Sequence, residues 1–126
     1  EENVLNTDEM TAMSGYESVK SFIKGSNKMP TAFFVSTDTI ATGVLKALDE
    51  NYIKVPQDIS IIGFNDLIAS QHTIPPLTTV RVHIENLASA AVDLIIERIT
   101  KGRKYCKKVV IPSELIIRKS SDIVKK

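Results

Sequence analysis

The chain has 126 residues, 43% hydrophobic and 25% charged, with a formal net charge of +1, which suffices for one packed core and demands no polyanionic partner. No apolar run approaches the ~20 residues that span a bilayer, and no signal-peptide pattern opens the chain. Cys106 is the single cysteine, so an internal disulfide is excluded, which suits the cytosol.

The first residue is Glu1 rather than Met, as expected of a fragment. Val4 to Asn6 is a short apolar stretch with the character of an edge strand. Ser14, with Glu17 three residues on, has capping-box spacing, and Tyr16, Val19, Phe22 and Ile23 then recur at helical intervals until Gly25. Pro30 precedes Ala32-Phe33-Phe34-Val35, whose unbroken apolar character predicts a central, fully buried strand over 32–36. Asp38 is placed to cap the following helix, predicted near 38–51, with Ile40, Ala41, Val44, Leu45 and Leu48 on its inner face. A second central strand is predicted over Ile59–Phe64. This alternation of strands and helices predicts an α/β fold with a mostly parallel sheet and flanking helices.

Pro75-Pro76 marks a rigid loop, and Thr78 to Val82 has extended character. The longest helical candidate runs from Ile84 to about Lys101 and is closed by Gly102. Its apolar stripe (Ile84, Ala88, Ala91, Ile95, Ile99) is widened by Leu87, Val92, Leu94 and Ile96 beyond half the circumference, so it requires burial on two sides. Val109–Ile111 and Leu115–Ile117 are strand candidates separated by Pro112. The lysines and arginines gathered from Lys101 onward fit a solvated surface and tail better than a phosphate-binding patch.

Catalytic chemistry finds little support. No glycine-rich phosphate loop or nucleophile elbow occurs, and His72 and His83 form no metal-ligand spacing. Cys106 has no matching base, so no catalytic residue, metal site or cofactor is expected. Polar pairs do close the two strongest strands: Thr37-Asp38 and Asn65-Asp66. In open parallel sheets, small ligands bind outside the carboxyl ends of strands. Helix capping is the competing role for Asp38, and loop capping for Asn65-Asp66.

Four ordered motifs resemble the lactose/galactose repressor (LacI/GalR) family. They are Pro30-Thr31-Ala32-Phe33-Phe34 with Asp38, Ala41, Gly43 and Leu45; Val55-Pro56 with Asp58-Ile59-Ser60-Ile61-Ile62-Gly63-Phe64-Asn65-Asp66; Pro75-Pro76-Leu77-Thr78-Thr79-Val80; and Glu114-Leu115-Ile116-Ile117-Arg118-Lys119-Ser120. The resemblance implies a periplasmic-binding-protein-like fold of two α/β subdomains around a sugar or other small metabolite. Residues 1–83 would form most of the C-terminal subdomain, residues 84–104 a helix of the N-terminal subdomain, and residues 105–126 the return strands and basic tail. DNA contact would need a head absent from this sequence. By position, Met10, Thr37, Asn65 and Ile84 would face the ligand, with Asp66 as a further candidate. Asn65 stands where the family commonly has an aspartate, and Met10 where an aromatic often stacks. The G-F-N-D variant occurs in galactose repressors of Gram-positive bacteria, which makes a galactoside the leading candidate. The resemblance also implies a cytoplasmic homodimer, contacting through Gln71, His72, Thr73 and Ile74. An extracytoplasmic sugar-binding protein of a transporter and a small α/β enzyme are the alternatives.

Overall fold

A computed structural model describes residues 4–25 and 28–122. The chain divides into two compact units, Glu1–Arg81 with Leu115–Lys126, and Val82–Glu114. In the first, helix α1 (Ala12–Gly25), strand β1 (Ala32–Phe34), helix α2 (Asp38–Glu50), strand β2 (Ser60–Asn65), a 3-10 turn (Ile68–Gln71) and strand β3 (Thr78–Arg81) follow in order. Helix α3 (Ile84–Thr100) comes next, and strand β4 (Glu114–Ile116) ends the series. The sheet order is β1-β2-β3-β4, with β1 parallel to β2 and β2 parallel to β3.

The core lies where α2 meets the sheet. Ala41, Ala47, Leu48, Ile61 and Leu77 are all fully buried, and Val19 of α1 packs into the same cluster. The two helices touch through backbone: a Cβ on Gly43 would lie only 1.7 Å from the Ala12 carbonyl oxygen. Nothing larger than glycine fits there without separating the helices.

Several expectations are corrected. Thr11, not Ser14, caps α1, since its Oγ1 accepts the Ser14 backbone N–H at 3.1 Å and the helix opens at Ala12. The first strand is not central: it is the edge of the described sheet, and Phe34 is 68% exposed. Continuous apolarity marks a strand made to be covered; it does not supply the cover. Val4 to Asn6 forms no strand; Val4, Leu5 and Thr7 border a groove of about 360 Å³ beside β1, floored by Val19, Ile40 and Val44. Val109–Ile111 is likewise irregular, and only Glu114–Ile116 joins the sheet.

The second unit contains α3, which has no buried residue. Gly102, at φ +61°, ends the helix in the left-handed conformation glycine adopts without cost. The segment beyond turns back within the unit, with Lys107 donating to Glu97 at 2.8 Å and Arg103 donating to the Leu94 carbonyl.

Candidate functional site

Strands β1 and β2 run parallel, so their carboxyl ends open on one edge of the sheet. Thr37 follows β1 and Asn65 ends β2. The structure brings their side chains together: the Asn65 amide Nδ2 donates to Thr37 Oγ1 at 3.4 Å. Thr37 also caps α2, accepting from the Thr39 backbone N–H at 3.4 Å, in the role expected of Asp38.

Asp38 instead points into the molecule and is 1% exposed. Its Oδ1 accepts from the Thr79 hydroxyl at 2.6 Å, and its Oδ2 accepts from the Leu67 backbone N–H at 2.9 Å and from the Ser70 hydroxyl. A buried carboxylate requires such a set of donors. It also requires room: a Cβ on Gly63 would fall 2.2 Å from Asp38 Oδ1, so the glycine of β2 makes the packing possible. The loop after β2 is therefore held by α2 on one side and β3 on the other.

The turn itself is strained. Asn65 has φ 109° and Asp66 φ 55°, two consecutive non-glycine residues in the left-handed region. Such backbone costs about 1–3 kcal/mol per residue and persists where surrounding bonds fix it. Besides the Asp38 bonds, the Asp66 backbone N–H donates to Thr79 Oγ1 at 3.4 Å. The Asp66 carboxylate, 7% exposed, receives Arg81 Nε at 2.7 Å on Oδ2 and Arg118 Nη2 at 2.6 Å on Oδ1. Burial pushes the Asp66 carboxyl up, but hydrogen bonds and charge from Arg118 and Arg81 together outweigh it and hold the group below its ordinary value.

The other expected positions are spread along the chain. Met10 is 78% exposed in the segment before α1. Ile84, 60% exposed, opens α3 in the second unit. Gln71 ends the 3-10 turn; His72 follows it, Thr73 donates to the Ser70 and Pro75 carbonyls, and Ile74 is 92% exposed. Among the described residues, no cluster of three or more His, Cys, Asp or Glu side chains is placed to hold a metal ion.

Residues 1–121 match the model of the periplasmic binding protein-like domain family. The chain is 42% identical over 112 residues to the HTH-type transcriptional regulator GalR of Lacticaseibacillus casei, covering 88% of this chain and 34% of that protein. It superposes on the lac repressor dimer bound to operator and the anti-inducer ONPF with a TM-score of 0.81, at 31% identity over 88% of this chain and 38% of that one. A LacI family regulator from Enterococcus faecium with bound ribose aligns with a TM-score of 0.82 at 26% identity, over 96% of this chain and 44% of that one. The chain belongs to the LacI/GalR family of transcriptional regulators. It spans about a third of the length of the curated GalR relatives it matches, and relatives of this kind are regulators, not enzymes.

In this LacI/GalR chain, sequence reasoning missed the partners of Asp66. Arg118 lies in the basic stretch expected to be solvated, yet its side chain is 17% exposed and also donates through Nη1 to the Leu77 carbonyl at 2.8 Å. Arg81 carries no local signal beyond its place in extended chain. The available signal was Asp66 itself, since a carboxylate at the end of a buried strand needs either several hydrogen-bond donors or a cation. The closing motif of the family is structural here: buried Ser120 Oγ accepts from the Thr78 N–H at 2.7 Å and donates to the Ile61 carbonyl at 2.6 Å.

Proposed function

We propose that this chain is the effector-binding and dimerisation region of a bacterial LacI/GalR repressor, binding a small sugar at the carboxyl ends of β1 and β2. The observation that carries this reading is the pairing of Thr37 with Asn65 on a fixed, strained turn at that edge. A hydroxyl and an amide offer both donors and acceptors without charge, which suits the hydroxyls of a neutral sugar. Asn65 in place of an aspartate still accepts a hydrogen bond and adds a donor; a galactoside is the finer proposal. Met10 and Ile84 are proposed as further effector contacts, Ile84 on a helix assigned to the N-terminal subdomain. On this division, residues 1–83 and 105–126 belong to the C-terminal subdomain, apart from the basic tail.

The mechanism is a change in population between open and closed lobes, biased by whichever state the sugar contacts better. Operator DNA would be reached only through a separate head, in a cytoplasmic homodimer whose partner contact includes Gln71, His72, Thr73 and Ile74. The lac repressor dimer on its operator, with a ligand bound, supports this arrangement by likeness. A thermal-shift panel on the intact protein, comparing galactose, ribose, other sugars and sugar phosphates, tests the reading. A bound ligand raises stability by RT ln(1 + [L]/Kd). A dose-dependent rise with a neutral sugar is expected; a flat response to every sugar would overturn it.

A further inference from the structure

We propose that Asp66 is a positioning residue for the effector contact, tying the turn that carries Asn65 to both segments by which the chain leaves and re-enters the sheet unit. This rests on the reading of Asn65 as an effector contact. The first unit ends its long stretch at Arg81 and resumes at Leu115. Arg81 is thus the last residue before departure, and Arg118 lies three residues beyond the return point. Each holds a different oxygen of the same carboxylate, at 2.7 and 2.6 Å. Arg118 is itself fixed to β3 and the residue before it, by Nη1 on the Leu77 carbonyl and by its backbone N–H on Thr78 Oγ1 at 2.9 Å.

The arrangement has two consequences. A carboxylate can serve two guanidinium groups with one oxygen each, whereas an asparagine has a single acceptor oxygen. The chemistry of the site therefore specifies Asp at 66, and explains why its carboxylate is occupied by protein rather than offered to a ligand. Second, Asn65 and Asp66 are adjacent in left-handed backbone, so the dihedral angles that aim the Asn65 amide at Thr37 are set by the residue the arginines clamp. Any rearrangement of the departing or returning segment pulls on Asp66 and thereby on Asn65. By linkage, a sugar that fixes Asn65 biases those two segments in return.

The test is a double-mutant cycle in the intact regulator, read by titration calorimetry with galactose, together with crystal structures of the variants. Asp66→Asn is expected to weaken galactose binding about ten-fold in the wild-type background, and less than about two-fold when Asn65→Ala is already present, because residues acting through one contact are not additive. Arg81→Gln removes one clamp only and is expected to give a smaller loss that also vanishes beside Asn65→Ala; it stands in if Asp66→Asn does not fold. Losses that multiply fully across the cycle would overturn the proposal, as a general loss of stability would produce that result. The crystal structure decides independently of the ligand: the Asn65 amide is expected to leave hydrogen-bonding reach of Thr37 in Asp66→Asn, or in Arg81→Gln where that variant stands in. An unmoved amide would overturn the positioning role. Failure of galactose to bind the wild-type protein would instead count against the galactoside reading and leave the crystallographic arm to decide.

Discussion

Helices α2 and α3 differ in how much of their apolar surface is covered. The shorter one, Asp38–Glu50, buries eight residues; the longer one, Ile84–Thr100, carries more apolar side chains and buries none. Ile95 and Ile99 are 59% and 76% exposed, whereas Leu48 is fully buried. Apolar periodicity states what a helix requires, and the surrounding elements decide whether it is met. In α2 the strands and α1 supply the cover. The exposed face of α3 fits its proposed membership of a second subdomain.

The largest effect is expected where cover is complete. Leu48→Ala should cost about 3–5 kcal/mol in a urea titration, through lost burial and the cavity left behind. A loss below about 1 kcal/mol would mean that α2 is not the anchor of the core. Asp38→Ala sharpens the same contrast from the polar side: it strips acceptors from Leu67, Ser70 and Thr79 and should cost about 3 kcal/mol, with the β2–β3 loop becoming accessible to hydrogen exchange.

A third expectation concerns pH. The Asp66 carboxyl is held below its ordinary value by Arg118 and Arg81 against the opposing effect of burial. Its contribution is therefore present above the ordinary aspartate range and lost as pH falls through the lower folded value. Urea titrations should show a gap between wild type and Asp66→Asn at pH 7 that narrows as the pH falls below the ordinary aspartate range; a gap independent of pH would remove the ion pairs from the account. The smallest effect belongs to α3: Ile99→Ala in the isolated chain should change stability by less than about 0.5 kcal/mol. The same change in the intact protein should cost more if that face is covered there.

Much of this was legible in the sequence because core periodicity and strand-end placement are local signals. The boundaries of α2 and β2, the closure of α3 at Gly102, and the juxtaposition of the ends of β1 and β2 all follow from patterns within a few dozen residues. What escaped was long-range. The Arg118–Asp66 pair joins positions 52 apart and the Ser120–Ile61 pair joins positions 59 apart, and neither has a local signature. Thr37 took the capping role expected of Asp38 because either side chain satisfies a helix N-terminus, and only the tertiary neighbours Ser70 and Thr79 decide which one is drawn inward. Phe33 and Phe34 were apolar enough for a central strand, but an edge is defined by a neighbour's absence.

The central functional claim is that a neutral sugar is held where Thr37 and Asn65 meet. Titration calorimetry of the intact regulator, using the sugar that gives the largest thermal shift, tests it most directly through Asn65→Ala. Affinity is predicted to fall about ten-fold or more, about 1.4 kcal/mol, with operator affinity in the absence of sugar unchanged because the residue lies at a strand end outside the core. Wild-type sugar affinity in that variant would contradict the account and move the pocket away from the ends of β1 and β2.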